Sequence, residues 1–328
     1  YIQSWNFTIQ RRMPGSFLGS IAYVGTQTVR QLGDRDINAA APGAGPSGRP
    51  YFQRNGNVAL NMWDGFVNGN YHALQVTMDR QVAGGFFMKN SYTWSKTINY
   101  FDDDGWVGLP LTNWEPALRR NRALAGYDRT HMFTSAYTYQ LPVGKGKRFS
   151  MEGPANLILG GWEVNGMFSA YSGTPFTVTA SGASLNAPGS TQTADFVGPL
   201  KKVDQKGPGT FYYDPSAFRD PNFQRPANVF RFGATGRNAF RGPGFWKLDA
   251  SIFKNFNITE RFVLQFKAEG YNVTNTPRFN NPSGATADVS SMVVDAQGNI
   301  VNANNFMAIT SADRNQDRQF RFGLRLSF

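Results

Sequence analysis

The chain has 328 residues, a net charge of +11 and no cysteine, which excludes disulfide frameworks, zinc ribbons and thiol catalysis. Aromatic residues make up 15% of it, Phe alone numbering 28, yet mean hydropathy is −0.41, so apolar residues must be interleaved with polar ones rather than gathered in blocks. No run approaches the roughly 18 apolar residues of a membrane-spanning helix, and the basic residues are scattered singly or in pairs such as Arg119-Arg120 and Lys201-Lys202, which argues against nucleic acid as a partner.

The chain opens without an initiating Met or signal peptide, directly in a strand-like run, Tyr1 to Ile9, and so reads as a piece of a longer protein. Strands near Gln3 to Arg12 and Ser16 to Thr26 flank a turn at Met13-Pro14-Gly15. Period-two alternation then aligns Leu74, Val76 and Met78 in Tyr71 to Arg80. In Phe86 to Trp94 it aligns Phe86, Met88, Tyr92 and Trp94, with Asn90 intruding. Phe133, Tyr137 and Tyr139 align in Thr130 to Leu141, and Trp162, Val164, Phe168 and Ala170 in Gly161 to Tyr171.

Trp246 to Ile252 and Phe262 to Glu269 form a hairpin around Asn257 to Glu260. Its apolar face carries Leu248, Ala250, Ile252, Phe262, Leu264, Phe266 and Ala268; Asp249, Ser251, Gln265, Lys267 and Glu269 occupy the other. In the last run, Arg318 to Phe328, strict alternation puts Phe320, Phe322, Leu324, Leu326 and Phe328 on one face and Arg321 and Arg325 on the other. Charges of both signs on one face require water or paired partners.

Nine strands of roughly 9 to 12 residues suit a tilted membrane crossing. The connections alternate: short at Pro14-Gly15, at Ala83-Gly84-Gly85 and at Asn257 to Glu260, moderate at Pro142 to Leu159, and roughly 30 to 70 residues at the intervening positions, far above the ordinary loop length. A soluble sandwich has no reason to place its long loops at one end, whereas outer-membrane barrels have short periplasmic turns and long extracellular loops. The fold expected is therefore all-β, an antiparallel transmembrane β-barrel to which this chain contributes about nine strands. Thr174 to Val178 is a candidate for further strand within a loop.

Catalytic and cofactor signals are weak. Gly43-Ala44-Gly45-Pro46-Ser47-Gly48 matches the dinucleotide-binding pattern letter for letter, but it lies between Pro42 and Pro50 with no strand before it and no helix after it. Gly144-Lys145-Gly146-Lys147 lacks the spacing of a phosphate loop and suits a periplasmic turn. His72 and His131 are the only histidines, with no helical metal pair and no nucleophile elbow around them. Asp102-Asp103-Asp104 departs from a calcium-loop spacing and reads more simply as a solvated loop. No catalysis, cofactor or metal is expected.

Taken in order, Tyr92-Thr93-Trp94-Ser95-Lys96, Tyr127-Asp128-Arg129-Thr130-His131, Gly160-Gly161-Trp162, Ser172-Gly173-Thr174-Pro175-Phe176, Arg241-Gly242-Pro243-Gly244-Phe245-Trp246 and Phe266-Lys267-Ala268-Glu269-Gly270-Tyr271-Asn272 form a series that resembles the C-terminal barrel region of Oar-like TonB-dependent receptors. The likeness covers essentially residues 1–328. It implies a parent barrel of about 22 strands filled by an N-terminal plug, neither the plug nor the missing strands being present here. It further implies an unidentified substrate carried across the bacterial outer membrane with energy from the TonB complex, acting through that plug.

The lumen-facing candidates are Asp249, Lys267, Glu269, Arg321 and Arg325, the plainer alternative being a salt-bridged wall. Phe320, Phe322, Leu324, Leu326 and Phe328 resemble the terminal signal by which the barrel assembly machinery recognises its clients, and the same residues would face outer-membrane lipid. Tyr92, Trp94, Tyr137 and Tyr139 are candidates for an interfacial aromatic girdle. The competing expectations are a passive or structural barrel, porin-like or an adhesin, and a soluble β-sandwich binding module.

Overall fold

The computed structural model describes residues 1–102, 109–259, 261–314 and 317–328, and within them all nine expected runs are strands of one antiparallel sheet. They are β1 (Ile2–Met13), β2 (Phe17–Asp36), β3 (Asn61–Ala83), β4 (Phe86–Asn99), β5 (His131–Gln140), β6 (Trp162–Tyr171), β7 (Phe245–Asn257), β8 (Val263–Tyr271) and β9 (Gln319–Ser327). They lie side by side in chain order, each pairing with the next, while β1 and β9 are paired on one side only. Glu260 of the expected turn and the run Asp103, Asp104, Gly105 and Trp106 lie outside the described residues. No helix among the described residues is long and apolar enough to cross a membrane.

The register holds every alternating set on a single face. One row runs Ile9, Ile21, Val76, Tyr92, Phe133, Ala170 and Trp246 across seven strands, each residue directly opposite the next. A second row, nearer the other end of the strands, runs Phe86, Tyr139, Val164, Ile252, Ala268 and Phe322. Because side chains alternate with period two, a one-residue slip in any pair would turn that strand inside out. The intruder Asn90 sits opposite Met78 and donates its side-chain amide to the Met78 carbonyl at 3.3 Å, which satisfies one polar group on the apolar face.

Two strands are much longer than expected. β2 has 20 residues and β3 has 23, so the hairpin continues past Thr26 and Tyr71 as far as Asp36 and Asn61. Register shifts between Thr28 and Gln31 and between Gln31 and Gly33 mark irregularities in the ladder. Such bulges interrupt the alternation by which a strand is recognised. The connections separate by length: residues 14–16, 84–85, 141–161 and 258–262 join strands at one end, and residues 37–60, 100–130, 172–244 and 272–318 at the other.

The principal buried core is not in the sheet. Phe176, Val178, Tyr212, Phe218, Phe240, Val289, Phe306, Met307 and Ile309 form one apolar cluster, drawn entirely from connections 172–244 and 272–318. Phe306 is edge-on to Phe218 at 5.5 Å, and Phe218 edge-on to Phe240 at 5.0 Å. The expected strand within Thr174 to Val178 is present at Pro175–Phe176, pairing with Phe240–Arg241.

Candidate functional site: the polar wall and the outer loop assembly

The sheet face opposite the apolar one carries a matching polar row: Thr138, Asn165, Ser251, Glu269 and Arg321 lie opposite one another in turn. Asp249, Lys267, Glu269, Arg321 and Arg325 all belong to this face. Asp249 pairs with Lys247 at 3.1 Å and accepts the Asn272 backbone N–H at 2.7 Å. Lys267 sits over the Phe253 ring at 5.0 Å and Arg321 over Tyr271 at 5.6 Å, so the cations lean on aromatic surface. Arg325 lies opposite Gln265. Asn165, Ser251, Asp249 and Glu269 line a cavity of about 280 Å³ on this wall, and the buried Asn165 side-chain nitrogen has no hydrogen-bond partner among the described residues.

Phe320, Phe322, Leu324 and Leu326 share the apolar face of β9, and Phe328, which follows the strand, is 83% exposed. Tyr92, Trp94, Tyr137 and Tyr139 also lie on the apolar face, Tyr92 and Trp94 toward the long connections and Tyr137 and Tyr139 toward the short ones. Phe86 and Trp94 are about 26 Å apart along a strand at the usual rise, which a barrel tilt of roughly 35–45° reduces to about 20 Å, most of the roughly 25 Å apolar band. Both histidines lie near the outer limit of that face. Tyr23 is bonded to His72 Nδ1, and Tyr92 to His131 Nδ1, each at 2.8 Å.

At the outer rim, buried charges tie the long connections to the strands. Arg241 donates to the Asp128 carboxylate at 2.7 Å and to the Gly173 carbonyl at 2.7 Å. Asp128 is buried and also accepts the Thr97 backbone N–H at 2.7 Å. Ser95 donates to the Arg129 carbonyl at 3.1 Å, and Arg129 to the Ser172 carbonyl at 2.7 Å. A Cβ on Gly173 would run into the Gly242 carbonyl, so the two chains can approach only as glycine backbone. Four of the stretches that carry the resemblance, around Ser95, Asp128, Gly173 and Arg241, thus converge on one knot.

A second pin lies beside it. Arg237 donates to Asp102 at 2.8 Å, to the Asn121 carbonyl at 2.8 Å and to the Asn99 carbonyl at 2.9 Å. Burial pushes this guanidinium below its ordinary range, and the Asp102 carboxylate offsets part of that shift. In connection 37–60, Arg49 pairs with the buried Asp36 at 2.8 Å, and the other Asp36 oxygen accepts the Asn38 and Leu60 backbone N–H groups. None of Asp36, Arg49, Arg237 or Arg241 was singled out in sequence as an ion-pair partner. The available signal was an Arg or Asp beside Gly, Pro or Asn in a long connection, which is too common to be specific.

Above the knot, connections 172–244 and 272–318 enclose a cavity of about 640 Å³ lined by Phe218, Arg219, Asp220, Phe223, Met292 and Ile300. Arg219 stacks over Phe223 at 5.1 Å, and burial pushes the Asp220 carboxyl up. A lining of apolar side chains that also includes one cation and one partly buried carboxyl suits recognition of a small molecule or side chain better than covalent chemistry. Among the described residues, no three His, Asp or Glu side chains group as a metal site.

The sequence profile of the outer membrane beta barrel domain matches residues 1–321. No curated protein matches. Similar solved structures include the ferric-catecholate import receptor Fiu of Escherichia coli, at 10% identity and TM-score 0.44 over 99% of this chain and 27% of that one. The outer membrane transporter YddB of Escherichia coli is similar at 6% identity and TM-score 0.46, over 99% and 32%. The ferripyoverdine receptor of the Pseudomonas aeruginosa outer membrane, bound to ferripyoverdine, is similar at 9% identity and TM-score 0.40, over 99% and 27%. The chain thus spans about a third or less of each of these structures. A profile match over nearly the whole chain, on a sheet with one predominantly apolar face, places the protein in the outer membrane β-barrel domain family and in the bacterial outer membrane.

Proposed function

We propose that the chain is the wall and outer loops of a TonB-dependent transporter of the Oar-like kind, which moves a substrate across the outer membrane with energy from the TonB complex. The observation that carries this reading is the segregation of the sheet: the Lys247–Asp249 pair and the polar side chains of β6 to β9 share the face opposite the apolar band. In a closed barrel that face lines the lumen, so Asp249, Lys267, Glu269, Arg321 and Arg325 would border the path or meet a plug domain. The outer loop assembly makes first contact with the substrate, and its cavity of about 640 Å³ offers a place for it. The apolar set of β9, ending in Phe328, serves as the strand read by the barrel assembly machinery, and no step of the cycle requires covalent chemistry.

Uptake assays in cells that make the full-length protein test this directly. Uptake of candidate substrates should vanish when the TonB complex is disrupted; uptake that persists would mark a passive pore. The assignment of faces has its own test because the sequence contains no cysteine. Lys267→Cys should react with a membrane-impermeant thiol reagent and Ala268→Cys should not, and the opposite pattern would overturn the lumenal assignment.

A further inference from the structure

The strand-end connection 141–161 differs from its neighbours on the same side, residues 14–16, 84–85 and 258–262, which are tight turns. It contains a short helix, Gly153–Leu159, and exposes large apolar side chains: Phe149 at 55%, Leu157 at 58%, Ile158 at 65% and Leu159 at 49%. Unpaired sheet edges do not explain this exposure, because β5 and β6 are interior strands with a partner on each side. Contiguous apolar surface of this kind in water marks a contact with a partner or a membrane.

Three observations identify the occupant. First, the connection is fastened to the lipid side of the wall. Trp162 is in register with the apolar face and donates its indole N–H to the Ile158 carbonyl at 2.9 Å. Lys254, on the same face, donates to the Gly160 carbonyl and lies 5.5 Å from the Trp162 ring and 5.1 Å from the Phe256 ring. The exposed helix therefore continues the apolar band beyond the end of the strands.

Second, the segment is basic. It carries Lys145, Lys147 and Arg148 against a single acid, Glu152, and all four are exposed. Arg148 lies over the Phe149 ring at 5.8 Å, and Lys147 reaches Gln140 at 3.5 Å. Third, Lys145, Lys147 and Lys254 line a cavity of about 250 Å³ together with Asn156, Leu157 and Phe256, so cationic and apolar groups meet in one recess. Apolar side chains beside Lys and Arg, at the depth where a strand leaves the hydrocarbon, match the chemistry of an anionic phospholipid surface.

We propose that connection 141–161 is a docking element for the anionic phospholipid of the periplasmic leaflet. Leu157, Ile158 and Leu159 enter the interface, and Lys145 and Arg148 engage lipid phosphates. The proposal rests on the outer-membrane setting and not on transport, so it stands or falls independently of substrate uptake.

The test uses the cysteine-free background. Ile158→Cys, and Arg261→Cys in the neighbouring turn as the water-facing control, are each labelled with an environment-sensitive fluorophore. The protein is then reconstituted in vesicles of neutral lipid with or without phosphatidylglycerol. The label at 158 should emit to the blue of the label at 261 and be quenched by lipids carrying a nitroxide near the headgroup. Phosphatidylglycerol should enlarge the blue shift, and Lys145→Ser with Arg148→Ser should abolish that enlargement. A label at 158 as water-exposed and unquenched as that at 261 would overturn the proposal. So would a label that becomes shielded only when a soluble periplasmic extract is added, which would indicate a protein occupant.

Discussion

The main sheet and the outer loop assembly bury their apolar residues in opposite ways. In the sheet, large side chains such as Phe322, Leu324 and Trp94 are 70%, 72% and 54% exposed; in the loops, Phe306, Met307 and Tyr212 are at most 1% exposed. The sheet is finished by its solvent: hydrocarbon covers the apolar face, and hydrogen bonding between strands is what membrane insertion requires of the backbone. The loops stand in water and must supply their own interior, which they do with a cluster of aromatic rings and with buried Arg–Asp pairs at their roots. Hydrophobicity in this chain thus serves two different phases, and only in the loops does it act as in a soluble domain.

The sharpest way to separate the two regions is to damage one and watch the other. Phe306→Ala removes the centre of the loop cluster and should cost the assembly about 3–5 kcal/mol. Hydrogen exchange in detergent should then rise in residues 172–244 and 272–318 while amides of β6 to β8 stay protected. Equal loss of protection in both would show a single cooperative unit. Conversely, Ala250→Arg puts a charge in the middle of the apolar face and should cost about 2–4 kcal/mol in a bilayer. Ser251→Arg, one residue along on the polar face, should cost about 1 kcal/mol or less. Refolding titrations into lipid vesicles would measure both, and similar costs would contradict the two-faced wall.

The knot between the regions should show an intermediate effect. Arg241→Met leaves Asp128 buried without its charged donor, at about 2–3 kcal/mol, and should raise proteolysis at residues 172–176 first. The smallest effect concerns pH. Burial pushes the Asp195 carboxyl up, but hydrogen bonds from Arg231 and the Ala234 backbone N–H outweigh it and hold the group below the ordinary carboxylate range. A depressed folded pKa stabilises fully above the unfolded value of about 4 and is lost as pH falls through the folded value. Arg231 is half exposed, so the contribution is about 1 kcal/mol at most. Exchange near Ala234 should rise on acidification below about pH 4, and Arg231→Gln should flatten that response.

What was legible in the sequence follows the same division. All nine strands were found because lipid on one side and polar surroundings on the other enforce period two, as in Phe320 to Leu326. The outward extension of β2 and β3 was not, because Gln31 and Gly33 sit at register shifts that interrupt the alternation. The loop core was illegible for a different reason. Phe176, Tyr212, Phe240 and Phe306 are far apart in sequence, carry no common period, and are joined only by the fold. Among site residues, the alternation assigned Asp249, Lys267, Glu269, Arg321 and Arg325 to one face, but it could not pair Arg237 with Asp102 across 135 positions.

The knot at Asp128 and Arg241 has a consequence for how such a protein can be altered. Chain leaves the wall at Gly173 and returns at Gly242 through two backbones in close approach, held by one charged pair. Whatever is written between them begins and ends at the same fixed points. Residues 177–236 share a core with connection 272–318, so a foreign segment grafted between these points would have to cover Val289, Phe306, Met307 and Ile309 as well as match the spacing of its ends.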